Sequence, residues 1–517
     1  MTQSSSDTPD ARATAHVREP ASGRHQQISA TLQRRWPEHR VGPSLDRIRA
    51  LCDLLGDPQR AMPVIQITGT NGKGSTAIMV DALLRSVGLR TGRFGSPHLT
   101  DVRERICVDG VPISADRFDD AWDDIAPYVS IVDGRRLGGI EMTFFEVLTG
   151  LAYAVFADAP VDVAVVEVGM GGLWDATSVA DATVAVLAPI SYDHMHILGN
   201  TLTEIATEKA GIIKAGSHVV SAGQDPEAAR VILARCAETG SPLSAEGRDF
   251  GLLDRVPALG GQVIAVEAAG GPVRDLHLPL YGEHMAHNAA LAVAAVEALL
   301  GGKPLEPPVI QDGFDQVVAP GRMEVVRRSP TIVLDSAHNP HGARAVAATI
   351  TEAFTFDPLI GVFAAMRDKD IHGVLEILEP VMNRIVVTTV ASTDRAAAPS
   401  ELGEIAREIF GADRVREAPT MAEALEIAVA DADRLLASGP DPDLTRAEGE
   451  PPATPGILVT GTVIGVGEAR GLLVPGEEAA GESTSAASAG PATSQIEIGT
   501  TDWGAATAAE EDGDARS

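Results

Sequence analysis

Apolar positions fall into two alternating series along the chain. Residues 63–68 (PVIQIT) form a short apolar run that reads as a buried strand. Residues 74–87 follow, with Ile78, Met79, Ala82, Leu83 and Val87 on one helical face. Residues 161–168 (VDVAVVEV) and 183–189 (TVAVLAP) are β-branched runs of the kind found in parallel sheets covered on both sides. Residues 218–221 make a third, and 201–210 is helical between them. A second series begins near Met323, with strands predicted at 331–334, 359–364, 384–390 and 457–460 and helices at 342–354, 402–410 and 421–436. Strands alternating with helices predict an α/β fold built from doubly wound sheets.

The pattern also predicts the division of the chain. Residues 1–30 are polar and turn-rich and are expected to lack fixed structure, as is the Ala/Ser/Thr/Gly/Glu-rich tail 476–517. Residues 31–320 and 321–475 then form the two units, with Ala319-Pro320-Gly321 as a hinge and 438–455 as an inserted Pro/Asp loop. A hydrophobic content of 44% over 517 residues suits two or three packed cores. The 72 acids against 41 bases, a formal charge of −31, oppose binding to nucleic acid or anionic membranes. Aromatics at 4% are too few for a base-stacking platform. Three cysteines without CxxC spacing suit a reducing compartment, the N-terminal stretch has no apolar leader, and no apolar run reaches membrane-spanning length. The expectation is a cytoplasmic monomer acting on small molecules. With so acidic a chain, an anionic ligand must be held by a few specific bases.

Residues 67–76 (ITGTNGKGST) supply candidates. They follow a predicted strand and open a helix, the context of a phosphate-binding loop. Gly69, Gly72 and Gly74 allow a tight turn, and the helix N-terminal amides point at an anion. Thr70 and Asn71 lie within the loop, Lys73 can reach the β- and γ-phosphates, and Ser75 or Thr76 can support Mg²⁺. The alternative is a plain glycine-rich turn. Glu167 ends a predicted strand, where a carboxylate points into the ligand crevice of such a sheet and can hold Mg²⁺. A solvent-facing Glu is the other reading. Glu146 is unexpected within an apolar helix, whereas Phe144 and Phe145 read as core by composition.

The loop GTNGKGS is shorter than the usual GxxxxGK[ST] and resembles that of the ATP-dependent amide-forming ligases, which include folylpolyglutamate synthase, dihydrofolate synthase and the Mur ligases. The segment 96–106 (SPHLTDVRERI) is similar to the SPHLxxFxERI signature of the folate ligases, with Val102 for Phe. Residues 143–146 (TFFE) resemble T-x-F-E, 193–199 (DHMHILG) resemble DHxxxLG, and 208–214 (EKAGIIK) resemble EKAGI. Residues 280–288 (LYGEHMAHN) resemble LxGxHQxxNA with Met285 for Gln. Residues 335–340 (DSAHNP) resemble DGAHNP with Ser336 for Gly, and 367–370 (RDKD) resemble xDKD. Together these span about 42–470.

The resemblance implies a P-loop doubly wound N-terminal ATPase domain, which also binds folate, and a smaller Rossmann-like C-terminal domain. It implies an ATP site at Gly69, Thr70, Asn71, Gly72, Lys73, Gly74, Ser75, Asn288, Arg322, Asp335 and His338. Two Mg²⁺ sites are implied, drawing on Ser75, Ser96, Glu167, His194 and, if carbamylated by CO₂, Lys209. Folate or glutamate contacts are implied at Pro97, His98, Arg105, Thr143, Phe145 and Glu146. Lys73, Glu167, His194 and Lys209 carry the chemistry in this reading. The implied reaction is ATP-dependent ligation of L-glutamate to dihydropteroate, to folate, or to both, through an acyl phosphate. The lead-in 41–59 (VGPSLDRIRALCDLLGDPQ) resembles that of bifunctional bacterial enzymes and favours both. A UDP-muramyl peptide ligase and a P-loop regulator that does not ligate are the competing readings.

Overall fold

Alternate residues of the central strands face opposite layers, and both layers are apolar. In the computed structural model, which describes residues 23–36, 42–438 and 454–474, β1 (Val64–Thr68) is buried along its whole length. Ile65 and Ile67 pack under helices Lys73–Ser86 and Glu283–Leu299, while Val64 packs on the other face with helix Phe144–Asp158. Each such Val or Ile contributes about 1.5–3 kcal/mol on burial. The other strands of this sheet are β2 (Thr91–Phe94), β3 (Ile106–Val108), β4 (Val111–Pro112), β5 (Val163–Glu167), β6 (Val184–Leu187), β7 (His218–Ser221) and β8 (Leu243–Ala245). Their order is β4-β3-β2-β5-β1-β6-β7-β8. Pairing is parallel from β2 to β8, and β3 and β4 add an antiparallel edge.

A three-stranded antiparallel meander follows: β9 (Gly251–Ala258), β10 (Gly261–Ala268) and β11 (Gly271–Leu278). The α/β reading did not include it. Its outer strands β9 and β11 are half exposed, so polar residues interrupt the apolar runs that mark buried parallel strands, and only β10 between them is mostly buried. The second lobe is a six-stranded sheet of β12 (Glu324–Arg328), β13 (Thr331–Leu334), β14 (Phe356–Phe363), β15 (Arg384–Val387), β16 (Val415–Glu417) and β17 (Thr454–Thr460). Its order is β12-β13-β17-β14-β15-β16, parallel except for β12. Helices cover both faces here too, with Val333, Phe363 and Val387 on one side and Ile332, Val362 and Val459 on the other. The chain turns between the lobes at Gly321 and Met323, both with positive φ (65° and 50°).

One expectation is corrected. Residues 23–33, read as part of an unstructured segment through residue 30, form a helix (Gly23–Gln33). Ile28 and Leu32 join the first lobe's core beside Phe118 and Val129, and the buried His25 ring lies 2.7 Å from Asp119. The apolar stripe is short enough to be hidden by its polar neighbours. The tail 476–517 and the greater part of 438–455 lie outside the described residues. The apolar stretch that covers residues 142–157 of the sequence folds largely into the core helix Phe144–Asp158, and among the described residues no helix is long and apolar enough to cross a membrane.

Candidate active site

In an open parallel sheet, groups at the carboxyl ends of the strands converge on a crevice. Both lobes turn those ends toward one cleft of about 1080 Å³. The loop after β1, Glu167 at the end of β5, the segment after β6, Asp335 after β13 and Lys369 after β14 all line it. Glu167 pairs in register with Ile67, which places its carboxylate beside the mouth of the loop.

The loop is built by two close approaches. Gly69 (φ 152°) lies where a Cβ would come within 2.8 Å of Ala188, and Gly72 (φ 84°) lies where one would meet Asn288 Oδ1 at 2.7 Å. Gly72 then caps helix Lys73–Ser86, whose first amides face the cleft. Lys73 Nζ donates to the Gly69 and Thr70 carbonyls at 3.1 and 3.2 Å, and Lys209 Nζ donates to the same Gly69 carbonyl at 2.7 Å. Burial lowers the pKa of Lys73, against the pull of Glu167 and Asp193. Burial, with the charge of Lys73, lowers that of Lys209 to about 7. Glu167 is buried and accepts the Ser96 amide at 3.2 Å. Burial raises its pKa, opposed by Lys73.

The second lobe reaches across. Asp193, after β6, accepts Lys369 Nζ at 2.7 Å and Asn339 Nδ2 at 3.1 Å, and His338 Nε2 lies 3.6 Å away. Burial opposes its charge, but the neighbouring His338 ring and Lys369 hold the carboxyl well below the usual carboxylate range. Asn71 of the loop bonds Asn339 and the His341 ring. His194, in a left-handed backbone conformation (φ 49°), has Nε2 3.3 Å from Lys369 Nζ. Burial and the Lys369 charge lower its pKa to about 3, which keeps the imidazole neutral and able to ligate a metal. Asp335 anchors the start of its lobe by accepting the Met323 and Ala337 amides at 2.9 Å each, and burial raises its pKa.

Nearly all the residues anticipated from sequence line this single cleft: Gly69 to Ser75, Ser96, Pro97, Thr143, Phe145, Glu146, Glu167, His194, Lys209, Asn288, Arg322, Asp335 and His338. His98 and Arg105, also expected from sequence, lie behind this wall beside Phe144. Arg105 Nε donates to His98 Nδ1 at 2.8 Å, and its guanidinium stacks 5.3 Å over Phe144. Glu146 reaches the wall, but its carboxylate is engaged by Arg47 Nε at 3.0 and 3.1 Å and by the Thr143 amide at 2.8 Å, closing a capping box with Thr143. Reading the sequence missed Arg47, Asp175, Asn339 and His341. Asp175 is a buried wall residue whose pKa burial raises to about 6, and only the unusual sequence GLWDATS marks it.

Comparison with known proteins decides the family. The Mur ligase middle domain matches residues 129–296, and the Mur ligase glutamate ligase domain matches 321–439. The dihydrofolate synthase/folylpolyglutamate synthase of Mycobacterium tuberculosis is 46% identical over 460 residues, covering 86% of this chain and 93% of that protein. The chain belongs to the dihydrofolate synthase/folylpolyglutamate synthase family. Other members include the Bacillus subtilis dihydrofolate synthase/folylpolyglutamate synthase, 33% identical over 348 residues, 67% of this chain and 80% of that one. Among solved structures, Mycobacterium tuberculosis folylpolyglutamate synthase complexed with ADP superposes with a TM-score of 0.83 at 44% identity, covering 88% of this chain and 99% of that one. E. coli FolC in complex with DHPP and ADP gives 0.74 at 27% identity, covering 88% and 99%. Family membership makes the chain an ATP-dependent ligase with the two-lobed α/β fold described above.

Among the described residues no three His, Cys, Asp or Glu side chains form a closed metal cage. Mg²⁺ is commonly held by one or two protein groups with phosphates and water completing its shell. The donors at this site suit such a hard cation: a buried Glu167 carboxylate, the neutral His194 ring and the hydroxyls of Ser75 and Ser96.

Proposed function

We propose that this chain ligates L-glutamate to dihydropteroate and to folates, extending a γ-glutamyl chain, at the expense of ATP. The observation that carries the reading is the convergence of Lys73 and Glu167 from one lobe with Arg322, Asp335 and His338 from the other on a single cleft. A nucleotide regulator needs the loop but not this second-lobe set. The match to the folate branch disfavours a UDP-muramyl peptide ligase.

A carboxylate is a poor electrophile and must be activated. Its oxygen attacks the γ-phosphorus of ATP, ADP departs with the bridging oxygen, and an acyl phosphate forms. The neutral amine of glutamate attacks the acyl carbon, phosphate leaves, and the ammonium proton is lost to give the amide. The loop amides and Lys73 neutralise the phosphate oxygens, and Arg322 adds a second cation from the turn between the lobes. Asn288 buttresses the loop at Gly72, and Asp335 with His338 holds the nucleotide from the second lobe. Thr143, Phe145 and Pro97 line the acceptor side. Glu167, His194, Ser75 and Ser96 would hold Mg²⁺, which when bound would supply charge neutralisation to the transferred phosphoryl group. The lowered pKa of Lys209 supports its reading as a carbamate, since only a neutral amine captures CO₂, and a carbamate would furnish an oxygen ligand for a second Mg²⁺. One chain supplies the whole wall, which supports a monomeric working unit. The three buried free cysteines support a reducing, cytoplasmic setting.

The test is phosphate release with ATP and Mg²⁺ across a panel of dihydropteroate, dihydrofolate and tetrahydrofolate, each with and without glutamate. Release that requires both an acceptor and glutamate, with the γ-glutamyl product seen by mass spectrometry, is the expected result. Hydrolysis indifferent to both would refute it.

A further inference from the structure

The carboxylate of Asp193 belongs to the first lobe, but it accepts side chains of the second: Lys369 on Oδ1 at 2.7 Å and Asn339 on Oδ2 at 3.1 Å, with His338 at 3.6 Å. Asp193 and Lys369 are each only 11% exposed, so the charges are largely withdrawn from water. Lys369 also faces His194 Nε2 at 3.3 Å, so the contact reaches the edge of the phosphate site. A neutral bridge runs alongside, Asn71 to Asn339 and to His341, but it carries no charge. Breaking a withdrawn ion pair at one partner leaves the other charge uncompensated, so this contact weighs more than the amide bridge.

We propose that Asp193 is the positioning residue that closes the second lobe over the reacting groups, and that its loss uncouples phosphoryl transfer from amide formation. The inference rests on the ligase reading above. The loop, Lys73 and Glu167 all sit in the first lobe and can assemble around nucleotide without closure. Excluding water from the acyl phosphate cannot be done without it. With the lobes parted, water replaces the amine: acyl phosphate and water give back the carboxylic acid and phosphate, and ATP is consumed without an amide.

The experiment uses the full chain and the variants Asp193→Asn and Lys369→Met, singly and together. In the ligand-free protein, amide exchange of peptides spanning 191–198 and 336–342 is expected to accelerate at least about tenfold in each single variant, while β1 and β5 stay protected. During turnover, phosphate released per amide formed is expected to rise from about one in the parent to about three or more in each single variant. The double variant should go no further, because the two residues form one contact. Unchanged exchange in both single variants overturns the proposal. So does a ratio that stays near one while the amide rate falls, the signature of a merely structural role. So does additivity in the double variant. If the parent forms no amide from any acceptor, the ligase reading fails on its own, and the exchange comparison still decides whether Asp193 closes the lobes.

Discussion

Replacing Arg47 by methionine tests how the acceptor side of the cleft is held. The Arg47 side chain is 2% exposed and that of Glu146 6%, and the guanidinium binds both carboxylate oxygens. It also donates to the Leu137 carbonyl at 3.2 Å and the Gly42 carbonyl at 2.6 Å, tying three chain segments together. In Arg47→Met, the buried Glu146 charge keeps the Thr143 amide as partner and loses its counter-ion. Removing one member of a buried pair costs about 3–5 kcal/mol, and that loss is the expected fall in unfolding free energy. Adding Glu146→Gln removes the stranded charge while preserving a cap on Thr143. The double variant should regain at least about 1 kcal/mol over Arg47→Met. Because helix Phe144–Asp158 carries Phe145 into the cleft, KM for the pteroate acceptor should rise in Arg47→Met while KM for ATP stays near the parent value. Urea titration followed by circular dichroism, with steady-state kinetics, measures both. A loss under about 1 kcal/mol, or a double variant less stable than Arg47→Met, would refute the reasoning.

Three further outcomes are expected. Burial raises the Glu167 pKa above that of an unfolded Glu, so its contribution favours folding at low pH and is lost as pH rises through the folded value. Glu167→Gln should therefore melt higher than the parent at pH 8, with the gain vanishing toward pH 4, while ligation falls by about 100-fold or more. An equal difference at both pH values would contradict this. With Lys209 lowered to about 7, most of its amine is neutral at pH 8, and ¹³C NMR in labelled bicarbonate should show one carbamate resonance that Lys209→Gln lacks. Gly72→Ala, forced to φ 84° with its Cβ 2.7 Å from Asn288 Oδ1, should weaken ADP binding by about tenfold in calorimetry, with little change in acceptor affinity.

Much of the first lobe was legible because its chemistry is local. The strand Val64–Thr68, the turn at Gly69 and Gly72 and the helix Lys73–Ser86 are contiguous, so steric freedom, helix amides and Lys73 could be read from one segment. Glu167 could be placed because a residue at the end of a parallel strand has a predictable position. Glu146 drew notice as a charge in an apolar helix, but its carboxylate is taken up by Arg47, 99 residues earlier. The motif that contains His98 and Arg105 says nothing of which side its side chains turn, and in the structure the two pair with each other behind the cleft wall.

Period, propensity and turn chemistry act over a few residues, and on their own they determined the parallel strands, the loop and the two-lobed plan. Contacts between distant segments depend on how the lobes pack, and no local pattern encodes that. Only the tertiary structure brought Asp193 against Lys369, 176 residues away, seated Gly23–Gln33 on the core through His25 and Asp119, and added the meander of Gly251–Leu278. Burial then set the charge states of the site, because moving Glu167, Lys209 and His194 out of water shifts their proton equilibria in ways the residue type alone cannot.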